Sequence, residues 1–145
     1  MDGTGRATTD NLGFVLAKAS QRWNELLADG FARHGFGEVR PSYGSVLVPL
    51  LDEDGLRMGE LARRSRVSKQ TMTTLVRLVE RDGLVARRRD PDDGRATRVH
   101  LTDRAMAFRP IAEQTLAELD AAVEARLGGS KARSLHGALK ELMSL

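Results

Sequence analysis

Five arginines surround one short turn in the middle of the chain. Arg87 to Arg89 precede the turn-forming segment Asp90–Gly94, and Arg95 and Arg98 follow it. Guanidinium groups crowded in this way repel one another unless anions lie nearby. The three aspartates of the turn offset part of the charge, and one of them is expected to hold an arginine in place. Either such Arg–Asp pairs stabilise an ordinary surface hairpin, or the excess positive charge binds a polyanion such as nucleic acid.

The positive charge of the whole chain is concentrated in this region. The 145 residues carry a net charge of +3, yet residues 57–100 hold 12 Lys and Arg against 6 Asp and Glu. The preceding segment, residues 1–56, is acidic, and the following segment, residues 101–145, is neutral. A confined basic region is the electrostatic footprint expected of a protein that binds nucleic acid.

A second group of polar and basic side chains lies just before the arginines. Over residues 68–81, apolar residues recur at helical spacing and form one stripe: Met72, Leu75, Val76 and Val79. The opposite face carries Lys69, Gln70, Thr73, Thr74 and Arg77. Gln70 is able to pair bidentately with adenine, and Arg77 with guanine or a phosphate. Ser68 is expected to cap the helix, at an end where its hydroxyl, that of Thr71 and free N–H groups suit a phosphate.

Periodicity and turn residues predict the elements that position these two groups. The predicted helices span residues 10–33, 41 onward, 57–64, 68–81, 103–127 and 130–144, and the predicted strands span 84–89 and 97–102. Asp10 is expected to cap the first helix, Thr102 the helix that follows the hairpin, and Pro49 to kink the second helix or end it early. Two helices joined by a short turn and followed by a hairpin form a winged helix-turn-helix. The predicted fold is therefore mainly α with a small β-hairpin wing.

Composition excludes several classes of site. The chain has no cysteine, which excludes disulfides, Cys-ligated zinc, iron–sulfur clusters and thiol switches. Its three histidines, at positions 34, 100 and 136, are far apart in sequence, so no metal site or cofactor is predicted. No apolar stretch is long enough to span a membrane, and the N-terminus shows no secretory signal. We therefore expect one cytoplasmic domain over residues 1–145, with residues 1–9 lacking regular structure.

Several runs of residues carry a resemblance to a known family. They are Gly59–Thr73, Glu80–Val85, Arg87–Ala96 and Val99–Thr102. The wing signature Asp-Pro-x-Asp-x-Arg, with a later Leu-Thr that opens a long helix, is specific. Over roughly residues 57–104 the chain resembles the helix-turn-helix and wing of the MarR family, the multiple antibiotic resistance regulators.

The resemblance implies a triangular homodimer. Residues 10–33 and 103–145 would pack across a two-fold axis, and residues 40–102 would form a winged lobe that binds double-stranded DNA. The apolar stripes of the terminal helices agree with this, because a single chain of this length would struggle to cover all of them. The alternative is a three-helix core within a monomer. A two-fold dimer is expected to bind a pseudo-palindrome with half-sites ~10 bp apart.

The resemblance also implies roles for individual residues on DNA. Arg95 would enter the minor groove, where the negative potential is enhanced, and Asp93 would orient it. The predicted DNA-binding residues are Ser68, Lys69, Gln70, Thr71, Thr73, Thr74, Arg77, Arg88, Asp93, Arg95 and Arg98. Thr74 stands where many relatives carry an arginine, so a base-reading guanidinium is replaced there by a hydroxyl group.

Members of this family commonly release DNA when a small aromatic or phenolic ligand binds between the two lobes. Trp23, His34, Phe36 and Tyr43 are expected to lie near that cleft, and a mixed aromatic and polar set suits a small ligand. The alternative is that each of them is a core or helix-end residue. The resemblance therefore implies a repressor that a ligand releases from its operator.

Two other classes of function fit the sequence less well. A winged-helix protein-interaction module without specific DNA binding would need apolar residues on the outer face of helix 68–81, and that face is polar and basic. An enzyme would need a nucleophile elbow, a glycine-rich phosphate loop or a paired histidine and carboxylate, and none occurs at a useful spacing. The sequence therefore predicts a sequence-specific, DNA-binding transcriptional regulator.

Overall fold

The computed structural model describes residues 8–145, which form six α-helices and one small sheet. The elements are α1 (Leu12–Arg33), α2 (Gly44–Asp52), β1 (Leu56–Arg57), α3 (Met58–Ser65), α4 (Lys69–Arg81), β2 (Val85–Arg89), β3 (Thr97–Leu101), α5 (Asp103–Leu127) and α6 (Gly129–Leu142). This confirms the predicted fold, mainly α with a small wing. The prediction for residues 1–9 falls largely on residues 1–7, which lie outside the described residues. In the part described, no helix is long and apolar enough to cross a bilayer, and no group of His, Cys, Asp or Glu side chains is arranged to hold a metal ion.

Polar side chains begin the long helices. Asn11 caps α1, because its Oδ1 accepts a hydrogen bond from the Phe14 N–H at 2.9 Å. The predicted cap, Asp10, is therefore wrong by one position. Ser68 and Thr102 cap α4 and α5 as predicted. Each cap satisfies an N–H group that has no partner within its own helix.

The wing belongs to a three-stranded antiparallel sheet rather than to an isolated hairpin. Strand β3 lies in the centre, with β2 on one side and β1 on the other. Strands β2 and β3 are paired from Val85 opposite Leu101 to Arg89 opposite Thr97. The sequence does not predict β1, because its two residues are too few to show the alternation of a strand.

Pro49 does not end α2, which continues to Asp52, so of the two predicted effects, a kink or an early stop, the early stop is wrong. A proline has no N–H to donate to the carbonyl four residues earlier, which here belongs to Ser45. The hydroxyl of Ser65, at the end of α3, donates to that carbonyl at 2.5 Å. A side-chain hydrogen bond thus replaces the missing backbone one and joins α2 to α3.

The centre of the core lies within the winged lobe. Its most deeply buried side chains are Val39, Tyr43, Val46, Leu50, Leu61, Met72, Val76, Val79, Leu84 and Val99. Three of these, Met72, Val76 and Val79, belong to the apolar stripe predicted for α4, so the stripe is confirmed as its inner face. Burial of this stripe fixes which face of α4 is turned to solvent.

Helices α1, α5 and α6 leave much apolar surface exposed. Helix α1 crosses α5 closely at Gly30, where an added Cβ would overlap the side chain of Thr115. The exposed large apolar residues of these helices are Leu12, Phe14, Val15, Leu16, Met106, Leu116, Leu135, Leu139 and Leu142. Helix α6 has no buried residue. Large apolar side chains exposed on three helices are of the kind that marks protein–protein contact surfaces.

Candidate nucleic-acid interface

The first turn of α4 presents hydroxyl groups beside its free N–H groups. Ser68 Oγ accepts a hydrogen bond from the Thr71 N–H at 3.0 Å and donates to Thr71 Oγ1 at 2.9 Å. Both residues are exposed. Because aligned peptide dipoles make a helix N-terminus favourable for an anion, this end of α4 offers hydrogen-bond donors to a phosphate.

The outward face of α4 carries the predicted side chains in one solvent-facing row. Lys69, Gln70, Thr74 and Arg77 are exposed, and Thr73 is partly buried. The hydroxyl groups of Thr73 and Thr74 donate to the carbonyl oxygens of Lys69 and Gln70, at 2.9 and 3.1 Å. Within residues 8–145, neither Lys69 nor Arg77 takes part in an ion pair. Their charges are therefore available to a partner.

The wing carries three solvent-exposed arginines. Arg88, Arg89 and Arg95 are exposed, and none of them forms an ion pair with another described residue. The carboxylate of Asp93 accepts a hydrogen bond from the backbone N–H of Arg95 at 3.1 Å. Asp93 thus holds the turn at Arg95 through the backbone, and the guanidinium group is left for a partner.

A buried carboxylate at the base of the wing holds two other arginines. Asp90 is 2% exposed, and its Oδ2 lies 2.7 Å from Arg57 Nη2 and 2.9 Å from Arg98 Nε. Its Oδ1 accepts a hydrogen bond from the Asp92 N–H at 2.8 Å. That backbone hydrogen bond, helped by the two guanidinium groups, lowers the pKa of Asp90. Loss of either arginine would leave a buried charge less well compensated, so the cluster ties the wing to β1.

This cluster changes the interpretation of Arg98, which was predicted to contact DNA. Its Nε bonds Asp90, its Nη1 donates to the carbonyl of Gly55 at 2.9 Å, and only 34% of its side chain is exposed. The expected Arg–Asp pair of the wing is present, and it positions the wing from within. Arg57 pairs with the same carboxylate, because β1 places Arg57 opposite Arg98 in the sheet. The sequence does not predict that Arg57 pairs with Asp90, because β1 is too short to be recognised as a strand.

An ion pair joins α4 to the wing. Glu80 Oε1 accepts a hydrogen bond from Arg87 Nε at 3.0 Å, and its Oε2 accepts one from the Arg87 N–H at 3.3 Å. The guanidinium of Arg87 lowers the pKa of Glu80. Two of the five wing arginines, Arg87 and Arg98, are therefore paired within the protein. The Glu80–Arg87 pair also holds the outward face of α4 beside the strand that carries the exposed wing arginines.

Comparisons with known proteins match this region and most of the chain. The sequence model of the MarR family matches residues 39–96, which include α4 and most of the wing. The HTH-type transcriptional repressor Rv2887 of Mycobacterium tuberculosis is 37% identical over 129 residues, which span 79% of this chain and 93% of that protein. The chain belongs to the MarR family. Members of the MarR family are transcriptional regulators, and the family assignment extends well beyond the helix-turn-helix.

Solved structures show that the MarR fold covers nearly all of the chain. The PcaV transcriptional regulator from Streptomyces coelicolor, in complex with its natural ligand, has a TM-score of 0.80 at 22% identity. The match covers 99% of this chain and 98% of PcaV. The MepR–DNA complex of S. aureus has a TM-score of 0.78 at 17% identity, covering 92% of this chain and 96% of MepR.

The four residues predicted to bind an effector in this MarR-family protein do not line one cleft. Tyr43 is fully buried in the core. Phe36 packs on the ring of Phe108, with centroids 5.3 Å apart. His34 is the C-cap of α1, and Trp23 packs partly buried against the core. The alternative interpretation, core and helix-end residues, describes these positions.

An apolar cavity of about 200 Å³ lies between α1, α2 and α5 instead. Its apolar lining includes Leu27, Phe31, Leu47, Val48, Leu51, Ala105, Phe108 and Leu116, and its charged lining residues are Arg40, Arg109 and Glu113. Arg109 Nε is paired with Glu113 Oε1 at 2.9 Å. Arg40 forms no ion pair within the described part of the chain. None of the four predicted effector residues lines this cavity. They lie near the lining residues in sequence, but helix packing decides which side chains face the cavity.

Tyr43 connects the residues beside this cavity to the end of α4. Its hydroxyl donates to Asp82 Oδ2 at 2.5 Å, and Asp82 is the C-cap of α4. Burial raises the pKa of Tyr43, and the hydrogen bond from Tyr43 lowers the pKa of Asp82. Arg40 and Pro41 line the cavity and lie two to three residues before Tyr43, so a short stretch of chain joins the cavity to the end of α4.

Replacing Tyr43 by phenylalanine should remove this hydrogen bond and keep the ring in the core. We expect the free energy of unfolding to fall by about 1–2 kcal/mol at pH 7, because hydrogen bonds to charged acceptors are worth more than neutral ones. The lowered pKa of Asp82 means that its contribution is present above the ordinary carboxyl pKa and is lost as the pH falls through the lowered value. Urea unfolding should therefore show the difference between wild type and Tyr43→Phe shrinking below about pH 4. An unchanged difference from pH 7 to pH 3 would contradict the assignment.

Proposed function

We propose that this chain is a homodimeric repressor that binds a pseudo-palindromic operator in double-stranded DNA and is released by a small molecule. The observation that carries the proposal is the surface we call the DNA face: Ser68, Lys69, Gln70, Thr71, Thr74, Arg77, Arg88, Arg89 and Arg95. In this proposal residues 40–102 form the DNA-binding lobe, and residues 10–33 and 103–145 form the dimerisation part of one domain. Its partner, chromosomal DNA, places the protein in the cytoplasm.

The electrostatics of the DNA face support a DNA partner. Its cations project from two adjacent elements, and the Glu80–Arg87 pair holds those elements side by side. Helix α4 is fixed with its apolar stripe inward, so Gln70 and Arg77 are free to reach base edges while the capped N-terminus meets a phosphate. Arg95, at the end of the turn, is the cation proposed to enter the minor groove. The MepR protein, whose fold this chain shares, was solved on DNA.

The exposed apolar residues of α1, α5 and α6 support a homodimer. A two-fold interface buries the same patch on both copies, so the apolar surface of each chain covers that of its partner. Helix α6 has no fully buried residue of its own, so its apolar side chains are available to pack against a second chain. The 37%-identical relative is named a repressor, which supports repression as the outcome of binding.

Selection from a random duplex library is the experiment that tests this function. The full-length protein should enrich a pseudo-palindrome whose half-sites are ~10 bp apart, because two copies of α4 related by a two-fold axis meet successive major grooves. Binding without any sequence enrichment would contradict the operator proposal and favour a general DNA-binding protein. No DNA binding at all would favour the protein-interaction alternative.

The cavity between α1, α2 and α5 is the proposed effector site. Its apolar walls and the cation of Arg40, which has no ion-pair partner among residues 8–145, suit a small aromatic molecule that carries an acidic group. We expect benzoate at millimolar concentration to weaken operator binding by the wild-type protein. The Arg40→Ala variant should bind the operator normally and lose up to about fivefold of this response, since Arg40 is exposed and an ion pair at an exposed arginine contributes no more than ~1 kcal/mol. The charge-matched variant Arg33→Ala, at an exposed end of α1, should respond as the wild type does, and an equal response of Arg40→Ala would place the ligand elsewhere.

A further inference from the structure

Three threonines in the first turns of α4 use their hydroxyl groups differently. Those of Thr73 and Thr74 donate to the carbonyl oxygens of Lys69 and Gln70, at 2.9 and 3.1 Å. Thr71 Oγ1 instead accepts a hydrogen bond from Ser68 Oγ at 2.9 Å and keeps its own proton. No acceptor for that proton is present among residues 8–145.

A hydroxyl group has one proton, and its placement limits what the side chain can recognise. The Thr71 hydroxyl is able to donate to a phosphate at the start of α4. The Thr74 hydroxyl has already given its proton to the helix, which is the arrangement that a threonine within a helix favours. Thr74 is exposed on the DNA face, and its Cγ2 methyl is the group left to make a direct apolar contact.

In the major groove, the 5-methyl group of thymine is the apolar feature that marks one base among four. Thr74 lies four residues beyond Gln70 on α4, about 6 Å along the axis, which is on the scale of one to two base-pair steps. A methyl group at this position therefore meets a base close to the one that Gln70 addresses.

We propose that Thr74 is a specificity-determining residue that reads the 5-methyl group of a thymine through its own Cγ2 methyl, while Thr71 contributes a phosphate contact that carries no sequence information. This inference rests on the proposed binding of an operator by α4.

The test compares variants that keep either the methyl or the hydroxyl group of Thr74. Each variant is measured on duplexes that differ from one another by single methyl groups. The probe is the duplex enriched by the wild-type protein, prepared with deoxyuridine in place of each half-site thymine in turn. Thr74→Val keeps the methyl branch and removes the hydroxyl, whereas Thr74→Ser does the reverse. Thr71→Val is the matched control on the same helix. Binding is measured by fluorescence anisotropy at fixed salt, after thermal unfolding has shown that each variant is folded.

We expect one thymine at which loss of the methyl group weakens wild-type binding roughly fourfold, the effect of one buried methyl group. Thr74→Val should match the wild type in affinity and in this sensitivity. Thr74→Ser should bind the thymine duplex roughly fourfold more weakly and no longer distinguish thymine from uracil at that position. Thr71→Val should weaken binding to every duplex alike and keep the full sensitivity.

Other results would overturn the inference in distinguishable ways. A loss of tenfold or more in Thr74→Val would show that the hydroxyl group reads the base. Uracil sensitivity that survives in Thr74→Ser, or that occurs at no thymine, would assign the methyl contact to another residue or exclude it. Failure of the wild-type protein to enrich any duplex would overturn the proposed operator binding, and this inference with it.

Discussion

Replacing Arg95 by alanine is expected to weaken binding to the selected operator roughly tenfold to a hundredfold. Arg95 is exposed at the end of the wing, its backbone N–H is fixed by Asp93, and its guanidinium has no ion-pair partner among the described residues. The fold should not depend on the side chain, so the apparent molecular mass in size-exclusion chromatography should stay that of the wild type. Fluorescence anisotropy with the operator duplex measures the loss.

Two control variants separate insertion into a groove from general attraction. Lys131→Ala removes one exposed positive charge from α6, which contributes no residue to the DNA face, and should change affinity by less than about twofold at physiological salt, where distant charges are screened. Arg95→Lys keeps the charge and loses the planar fork, so it should recover only part of the affinity. If Arg95→Ala bound the operator as tightly as the wild type does, the assignment of the wing to the minor groove would be wrong.

Replacing Leu139 by glutamate is expected to raise the dimer dissociation constant at least about a hundredfold. Burial of a leucine contributes about 1.5–3 kcal/mol, and a two-fold interface contains the residue twice. Leu139 is 40% exposed on α6, beside Leu135 and Leu142 in the same apolar stripe. Operator affinity should fall with the dimer, because one half-site then binds alone. Analytical ultracentrifugation over a range of concentrations measures the association directly.

The matched control is Ser134→Glu, which adds the same charge to α6 outside its apolar stripe. We expect this variant to associate and to bind the operator as the wild type does. Dimerisation of Leu139→Glu at wild-type concentrations would show that the exposed stripe of α6 is not part of the interface. In that case the apolar surface of α1 would remain the candidate.

The sequence predicts α4 well because three independent signals agree there. Ser68 supplies a cap, an apolar stripe supplies the inner face, and turn residues follow the last periodic position. The sequence places the wing correctly for a similar reason, since its turn formers lie between two alternating segments. The sequence does not predict which arginines of the wing pair with carboxylates of the protein and which remain exposed. Asp90, Asp92 and Asp93 look alike in sequence, and only burial of Asp90 beside β1 distinguishes the carboxylate that binds two arginines from its neighbours.

The predicted effector residues show where sequence reasoning stops. Periodicity gives the face of a helix, but Tyr43 lies in a 3₁₀ turn and Phe36 in a loop, where no period applies. Which side chains line a cavity then depends on how three helices pack. Pro49 is a second example. Its missing donor was evident, yet the hydroxyl that compensates for it comes from Ser65 on another helix.

Helix α6 has a consequence for how this protein responds to dilution. A 14-residue helix without a buried side chain is marginal by itself in water. In the proposed dimer its order comes from the partner chain, so folding of this segment and association are one equilibrium. By mass action, the melting temperature then rises with protein concentration. At low protein concentration the proposed operator, by holding two subunits together, then contributes to keeping this segment folded.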